Sequence, residues 1–173
     1  MTKLPIPESY WVEEGRFLAG EHAGGFSDES TRARMRSFVK AGINVFIDLT
    51  QPIELPSYER ILKEEAQKVG LEGVYQRFAV YDHSIPTKEM MKDILDLIDR
   101  SIKEGSGVYV HCWGGVGRTG TVVGCYLIRH GFSSEDSLKR VHTLFKTRPQ
   151  TYFPTSPETH EQVEFIRGWC ENR

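Results

Sequence analysis

Apolar and polar positions follow two kinds of pattern along this chain, one typical of strands and one typical of helices. Short apolar runs rich in β-branched residues predict strands at residues 16–20, 43–50, 74–80 and 108–111. Between residues 89 and 104, apolar side chains recur at helical spacing and indicate a core-facing helix, not a binding stripe. They are Met91, Ile94, Leu95, Ile98 and Ile102. Further helices are predicted over residues 29–40, 57–69, 134–146 and 156–170, and from near Arg118 to a C-terminal cap at Gly131.

This alternation of strands and helices predicts an α/β fold. We expect a central, mostly parallel sheet of about four to five strands, flanked by helices on both faces. A length of 173 residues fits a single domain over residues 1–173. Ligands bind off the carboxyl ends of the strands in such sheets. Polar residues that follow the predicted strands are therefore the first candidates for a site.

Composition and charge limit the classes of partner and the compartment that we expect for this chain. The formal net charge of −2 provides no general attraction to nucleic acid or to anionic membranes. The longest apolar stretch is too short for a membrane span, and the first residues show no signal-peptide core. The three cysteines, without a CxxC pair, suggest neither a disulfide framework nor a zinc site. We therefore expect a soluble, cytoplasmic monomer in a reducing compartment, with no nucleic-acid or membrane partner.

The strand at residues 108–111 runs directly into a glycine-rich loop. Five residues, Trp113, Gly114, Gly115, Val116 and Gly117, separate a thiol, Cys112, from a guanidinium, Arg118. The three glycines accept the positive φ angles that let successive backbone N–H groups point inward and form an anion-binding nest. The loop is therefore predicted to bind a phosphate group.

The helix that begins near Arg118 adds to this field. Its unpaired N–H groups and the positive end of its dipole face the nest, which favours the thiolate form of Cys112. Arg118 supplies a planar fork that can hold two phosphate oxygens at once. A glycine-rich turn or a buried cysteine is common by itself, but neither explains a Cys and an Arg at this spacing followed by Thr119 and Gly120.

The segment from His111 to Gly120 resembles the signature of the cysteine-dependent protein tyrosine phosphatase superfamily. The chain is similar to the dual-specificity-phosphatase-like branch of that superfamily, in a bacterial or archaeal style, and the likeness extends to residues 17–21, 43–50 and 156–159. The resemblance implies the protein tyrosine phosphatase fold and an enzyme that hydrolyses phosphate monoesters through a phosphocysteine intermediate. It implies no metal and no other cofactor.

Such an enzyme needs an acid for the leaving group, and Asp82 is the candidate. It lies after a predicted strand, in a polar turn closed by Pro86. From the residues alone, an aspartate there is more typical of a turn cap. The resemblance implies the catalytic role, because family members carry an Asp followed closely by Pro at this position. His83 is the alternative acid.

Three further residues receive supporting roles. Thr119 is expected to place a hydroxyl beside the Cys112 sulfur, a role compatible with capping the helix. His111 is expected to steady the loop and the thiolate. The resemblance implies that Gln162 positions the attacking water, although its pattern alone is typical of a helix-surface amide. Cys125 is expected in the core, with a resolving role toward an oxidised Cys112 as the alternative.

The sequence indicates the substrate class less directly than the reaction. Lipid-directed relatives carry lysines inside the loop, and this loop has no charge, which favours a phosphorylated protein or peptide over a phosphoinositide. No segment resembles the one that deepens the pocket of tyrosine-specific enzymes, so we expect phosphotyrosine hydrolysis with phosphoserine and phosphothreonine as further substrates. Trp113, Tyr152 and Phe153 are candidates for aromatic walls of the site. The alternatives are a phosphatase for small monoesters or inositol phosphates, and a catalytically silent phosphate-binding module.

Overall fold

The computed structural model describes residues 3–149 and 152–171, and this part of the chain forms one five-stranded sheet and six helices. The strands are β1 Ser9–Glu13, β2 Phe17–Gly20, β3 Ile43–Asp48, β4 Val74–Arg77 and β5 Gly107–His111. The helices are α1 Asp28–Lys40, α2 Glu59–Gln67, α3 Lys88–Lys103, α4 Gly117–Arg129, α5 Ser134–Phe145 and α6 His160–Arg167. The predicted α/β fold is confirmed.

The sheet has the order β1-β2-β5-β3-β4, and only β1 runs antiparallel to its neighbour. The carboxyl ends of β2, β3, β4 and β5 therefore lie along one edge of the sheet. Four loops leave from that edge: residues 21–27, 49–58, 78–87 and 112–116. Every candidate catalytic side chain lies on or beside these loops, so the topology gathers them in one place.

Two hydrophobic cores cover the two faces of the sheet. On β5, Val108 and Val110 pack into the core beneath α3, α4, α5 and α6, whereas Tyr109 packs into the core beneath α1 and α2. This alternation follows from the two-residue period of a strand. The apolar stripe of α3 faces the first core, as predicted, with Ile102 only partly buried. None of the helices within the described residues combines the length and apolarity that a bilayer crossing demands.

Three boundaries differ from the prediction. Strand β1 was not predicted, because its five residues carry no clean alternation and it pairs only at the sheet edge, with β2. Strand β4 ends at Arg77, although the backbone N–H groups of Phe78 and Val80 still donate to the carbonyls of Asp48 and Leu49 at the end of β3. Helix α6 begins at His160, not at Ser156: the Ser156 hydroxyl donates to the Val116 carbonyl instead of capping the helix, and Thr159 is the cap.

Candidate active site

The loop between β5 and α4 forms the floor of the site. Of its glycines, only Gly115 adopts the positive φ that all three could accept, with a value of 71°. A Cβ at Gly115 would also overlap the backbone of Gly20 at the end of β2. At Gly117 the constraint is space: a Cβ there would lie 2.7 Å from the side-chain oxygen of Gln162. Backbone therefore excludes a side chain at Gly115, whereas at Gly117 the crowding comes from the ends of the Gln162 and Glu158 side chains.

Helix α4 starts at the end of this loop without a side-chain cap. Its cap residue, Val116, makes no side-chain hydrogen bond, whereas α1, α3, α5 and α6 are each capped by a serine or threonine hydroxyl. The first N–H groups of a helix need an acceptor, and an anion is a suitable one. The start of α4 is therefore available to an anion bound in the loop.

Cys112 and Thr119 meet at the base of the loop. The Thr119 hydroxyl lies 3.1 Å from Cys112 Sγ and 3.4 Å from the Gly20 carbonyl oxygen. Both side chains are buried, with Cys112 only 3% exposed. A hydroxyl at this distance can donate to a thiolate, and the structure therefore brings this predicted pair together.

Arg118, on α4, contacts two of the loops. Its Nη1 and Nη2 each donate to one carboxylate oxygen of Glu54, both at 2.9 Å, in a bidentate pair. Nη1 also donates to the Val80 carbonyl at 3.0 Å, and Nη2 lies 3.1 Å from Asp82 Oδ1. Burial alone would lower the pKa of Arg118, but the hydrogen bonds with Glu54 and the negative charges of Cys112, Glu54 and Asp82 raise it above its ordinary value. The guanidinium thus stays charged although it is buried.

Asp82 lies at the mouth of the site, on the loop after β4. Its side chain is 56% exposed, and Oδ1 accepts the backbone N–H of His83 at 3.0 Å in addition to facing Arg118. His83 has a positive φ of 61°, and its Nε2 lies 3.7 Å from Asp82 Oδ2 and 4.0 Å from Glu158 Oε1. The structure brings Asp82 to Arg118; for His83 the nearest charged groups are these two carboxylates.

His111 is fully buried between β5 and the loop after β3. Its Nδ1 lies 2.8 Å from the Cys112 carbonyl, which can only accept, so Nδ1 carries the hydrogen. Its Nε2 lies 2.5 Å from Tyr58 Oη. Burial lowers the pKa of His111, so the ring is neutral and the Tyr58 hydroxyl is the donor. The imidazole therefore links the backbone of the nucleophile to a buried tyrosine.

A buried carboxylate, Asp48, ends β3 close to this imidazole. It accepts hydrogen bonds from the Thr50 backbone and hydroxyl, from Tyr75 Oη at 2.7 Å and from Arg77 at 3.2 Å. Burial alone would raise the pKa of Asp48, but the attraction that protonated His111 exerts at low pH and these hydrogen bonds outweigh it and lower the pKa to about 2. Asp48 therefore stays ionised and stabilises the strand end next to the site.

Gln162 is not the helix-surface amide that its sequence pattern suggests, because it is 0% exposed. Its Oε1 accepts the backbone N–H groups of Glu158 and Thr159, both at 3.1 Å, and its Nε2 donates to the Ser84 carbonyl at 3.1 Å. The Thr159 hydroxyl in turn contacts the His83 carbonyl at 3.5 Å. Gln162 thus ties the Asp82 loop to the start of α6, beside Gly117.

Three contributors were not predicted: Glu54, Tyr58 and Arg148. Glu54 and Tyr58 lie on the loop after β3, and Arg148 follows α5, where its Nη1 donates to the Gly114 carbonyl at 3.0 Å. A glutamate between prolines and an arginine after a helix look like ordinary solvated side chains. The only signal was position, since residues 49–58 follow the carboxyl end of a predicted strand.

The other two cysteines, Cys125 and Cys170, lie outside the candidate active site. Cys125 is fully buried in the core on α4, as expected, and burial raises the pKa of its thiol well above the ordinary range. That shift disfavours the thiolate a resolving cysteine needs. Cys170 is exposed near the end of the chain.

Known proteins resemble this chain in sequence and in fold. Residues 24–132 match the family described as "Polymorphic toxin system, DSP-PTPase phosphatase". The chain is similar to an uncharacterised protein of Methanocaldococcus jannaschii, at 34% identity over 54% of this chain, and to human dual specificity protein phosphatase CDC14C, at 43% identity over 69%. It spans 58% of the first relative and 26% of the second. The crystal structure of Tk-PTP in its active form superposes with a TM-score of 0.71 and 25% identity, covering 93% of this chain and 95% of that one.

Proposed function

The chain belongs to the DSP-PTPase phosphatase family, and we propose that it hydrolyses phosphotyrosine in proteins, with phosphoserine and phosphothreonine as further substrates. The observation that carries this proposal is the meeting of Cys112, Arg118 and Asp82 at one edge of the sheet. Asp82 Oδ1 lies 3.1 Å from Arg118 Nη2, although the two residues come from different loops. A nucleophile, a fixed cation and an acid are the three groups that phosphoryl transfer by this route needs.

In the first step, Cys112 Sγ attacks phosphorus while the loop N–H groups and Arg118 hold the phosphate oxygens. The S–P bond forms as the P–O bond to the leaving group breaks, and protonated Asp82 gives its proton to that oxygen. A bidentate grip on the phosphate requires the Nε–H and one Nη2–H of Arg118. Nη2 is the nitrogen that Asp82 faces, so phosphate binding displaces Asp82 from Arg118 and frees its carboxyl group for the leaving oxygen.

In the second step, ionised Asp82 takes a proton from water, the water oxygen attacks phosphorus, and the P–S bond breaks. Thr119 Oγ1, 3.1 Å from Cys112 Sγ, donates to the departing thiolate. We assign Gln162 to positioning the Asp82 loop. Its amide already serves three backbone groups, and placing water would require it to release one of them.

The uncharged interior of the loop supports a simple monoester. Residues 113–117 carry no ionisable side chain, so the loop offers nothing to a second phosphate of an inositol or its lipid. Arg148 approaches the loop from outside but donates to the Gly114 carbonyl. The intact set of Cys112, Arg118 and Asp82 also argues against a silent phosphate-binding module.

The proposal is tested by phosphate release from a small aryl phosphate and from phosphotyrosine, phosphoserine and phosphothreonine peptides. Inositol phosphates and phosphoinositides are assayed as alternative substrates. Cys112→Ser should abolish turnover, and Cys170→Ser, at an exposed thiol, is the matched control. Asp82→Asn should flatten the basic limb of the pH–rate profile and slow poor leaving groups most, whereas Asp93→Asn on the surface of α3 should not. Turnover by Cys112→Ser, or a clear preference for inositol phosphates, would contradict the proposal.

A further inference from the structure

Large apolar side chains are concentrated around the mouth of the site. Eight such side chains are exposed in the described residues: Phe26, Ile53, Val69, Leu71, Tyr81, Trp113, Phe132 and Tyr152. Phe26, Ile53, Tyr81 and Trp113 lie on the four loops at the carboxyl edge of the sheet, and Tyr152 joins Phe26 and Trp113 in lining the cavity there. Exposed apolar groups clustered in this way mark a surface that binds something.

On one side of these exposed side chains the surface forms a cavity. A cavity of about 570 Å³ opens beside the phosphate loop, and its walls include Phe26, Leu55, Trp113, Tyr152 and Phe153. Gly114 of the loop also lines it, so the cavity adjoins the phosphate loop. A volume of this size accommodates one or two large side chains.

We infer that this cavity is a subsite for an apolar or aromatic side chain of the phosphorylated segment, close in sequence to the phosphorylated residue. The inference rests on the proposed function, which it deepens by naming the sequence context of the substrate. Two observations carry it: the apolar walls, and the shared residues Trp113 and Gly114 that join the cavity to the loop. In an extended peptide, a residue within about three positions of the phosphorylated one reaches a cavity that adjoins the loop.

Charge favours a peptide over an anionic bilayer as the occupant. Among the described lining residues, Arg34 pairs with Glu21 at 3.0 Å and Arg148 donates to the Gly114 carbonyl. Glu8 adds a further acidic group, and none of the described lining residues is a lysine. Binding to anionic lipid relies on clusters of unpaired Lys and Arg, and a hollow suits a side chain better than a flat bilayer surface.

The experiment compares phosphotyrosine peptides that carry Ala or Phe at each position within about three residues of the phosphotyrosine. We expect Phe at one favoured position to raise kcat/KM about tenfold, because burial of the ring is gained. The double variant Phe26→Ala/Tyr152→Ala should lose that preference, and the single variant Phe26→Ala, which leaves Tyr152 in place, should keep the rate on a small aryl phosphate. Phe132→Ala, on the turn after α4, removes an exposed ring remote from the mouth and should keep the preference.

Binding of the same peptides to Cys112→Ser, measured by calorimetry, separates this inference from the proposed function. If the wild-type chain does not hydrolyse the aryl phosphate but Cys112→Ser still prefers the Phe peptide, the proposed function fails and the subsite stands. If hydrolysis proceeds with no preference at any position, or if Phe26→Ala/Tyr152→Ala keeps the preference, the subsite is overturned. Sedimentation with phosphatidylcholine/phosphatidylserine vesicles that depends on Phe26 and Tyr152 would assign the surface to lipid and overturn it as well.

Discussion

Glu54 is the residue whose replacement best tests how the site is held together. In Glu54→Gln the side chain keeps its length and one carbonyl acceptor, but it loses the charge and one of two 2.9 Å hydrogen bonds to Arg118. The guanidinium side chain is only 2% exposed, so solvent cannot replace the lost partner. We expect Arg118 to lose its fixed orientation toward the bound phosphate.

The size of the effect follows from the geometry. A hydrogen bond to a charged group contributes about 1.5–3 kcal/mol. Glu54 is 22% exposed and partly screened, which favours the lower part of that range. With about 1.4 kcal/mol for each factor of ten, kcat/KM should fall roughly 10- to 50-fold. The fall should be similar for fast and slow leaving groups, since Arg118 binds the phosphoryl oxygens and not the leaving group.

The assay is steady-state hydrolysis of a small aryl phosphate, with inhibition by inorganic phosphate measured in parallel. Phosphate inhibition should weaken along with kcat/KM in Glu54→Gln. Glu59→Gln, which removes an exposed carboxylate paired with Lys63 on α2, is the matched control and should match the wild type. If Glu54→Gln retains kcat/KM within about twofold, the bidentate pair does not position Arg118 and the reasoning fails.

Three further predictions concern the loop, the buried imidazole and pH. Gly115→Ala should lose at least about 100-fold in activity, because the residue has a positive φ and the added Cβ would overlap neighbouring backbone. Gly105 has a φ of 86° but open space around it, so Gly105→Ala should lower stability by about 1 kcal/mol and keep full activity. Tyr58→Phe removes the donor to a buried imidazole and should lower stability by about 1–3 kcal/mol and slow turnover, whereas Tyr126→Phe, remote from the site, should leave turnover unchanged. Burial lowers the pKa of His22 to about 3. Below about pH 6.5 the unfolded chain therefore binds a proton that the folded chain does not, and the free energy of unfolding decreases as the pH is lowered. Urea unfolding at pH 7 and 4.5 should show a loss smaller by about 2–3 kcal/mol in His22→Gln than in the wild type, and equal losses would refute this assignment.

The parts of the site that lie on one continuous segment could be predicted from the sequence. Cys112, Arg118 and Thr119 belong to one strand–loop–helix unit, where spacing alone determines which groups face the same hollow. Asp82 could be placed at the same edge because the carboxyl ends of parallel strands meet there. The mostly parallel direction of the strands followed from the alternation of strands and helices.

The residues that support this unit could not be predicted, because each depends on contacts between distant loops. Glu54 pairs with Arg118 across 64 positions, and Tyr58 meets His111 across 53. Nothing local distinguishes such a glutamate from a solvated one. The predicted start of α6, at residue 156, was wrong for a related reason: the Ser156 hydroxyl donates to a distant carbonyl, that of Val116, and the helix begins at His160.

Arg118 explains why these distant contacts matter for the proposed chemistry. Its guanidinium contacts Glu54 on the loop after β3, and Val80 and Asp82 on the loop after β4, while its backbone starts α4. Glu54 and the Val80 carbonyl hold the guanidinium on one side, and we propose that an incoming phosphate displaces Asp82 from Nη2. In the proposed mechanism, capture of the phosphate and release of the acid would be the same event, because one nitrogen, Nη2, would serve both. Substitutions that loosen Glu54 should therefore weaken phosphate binding and uncouple it from the movement of Asp82.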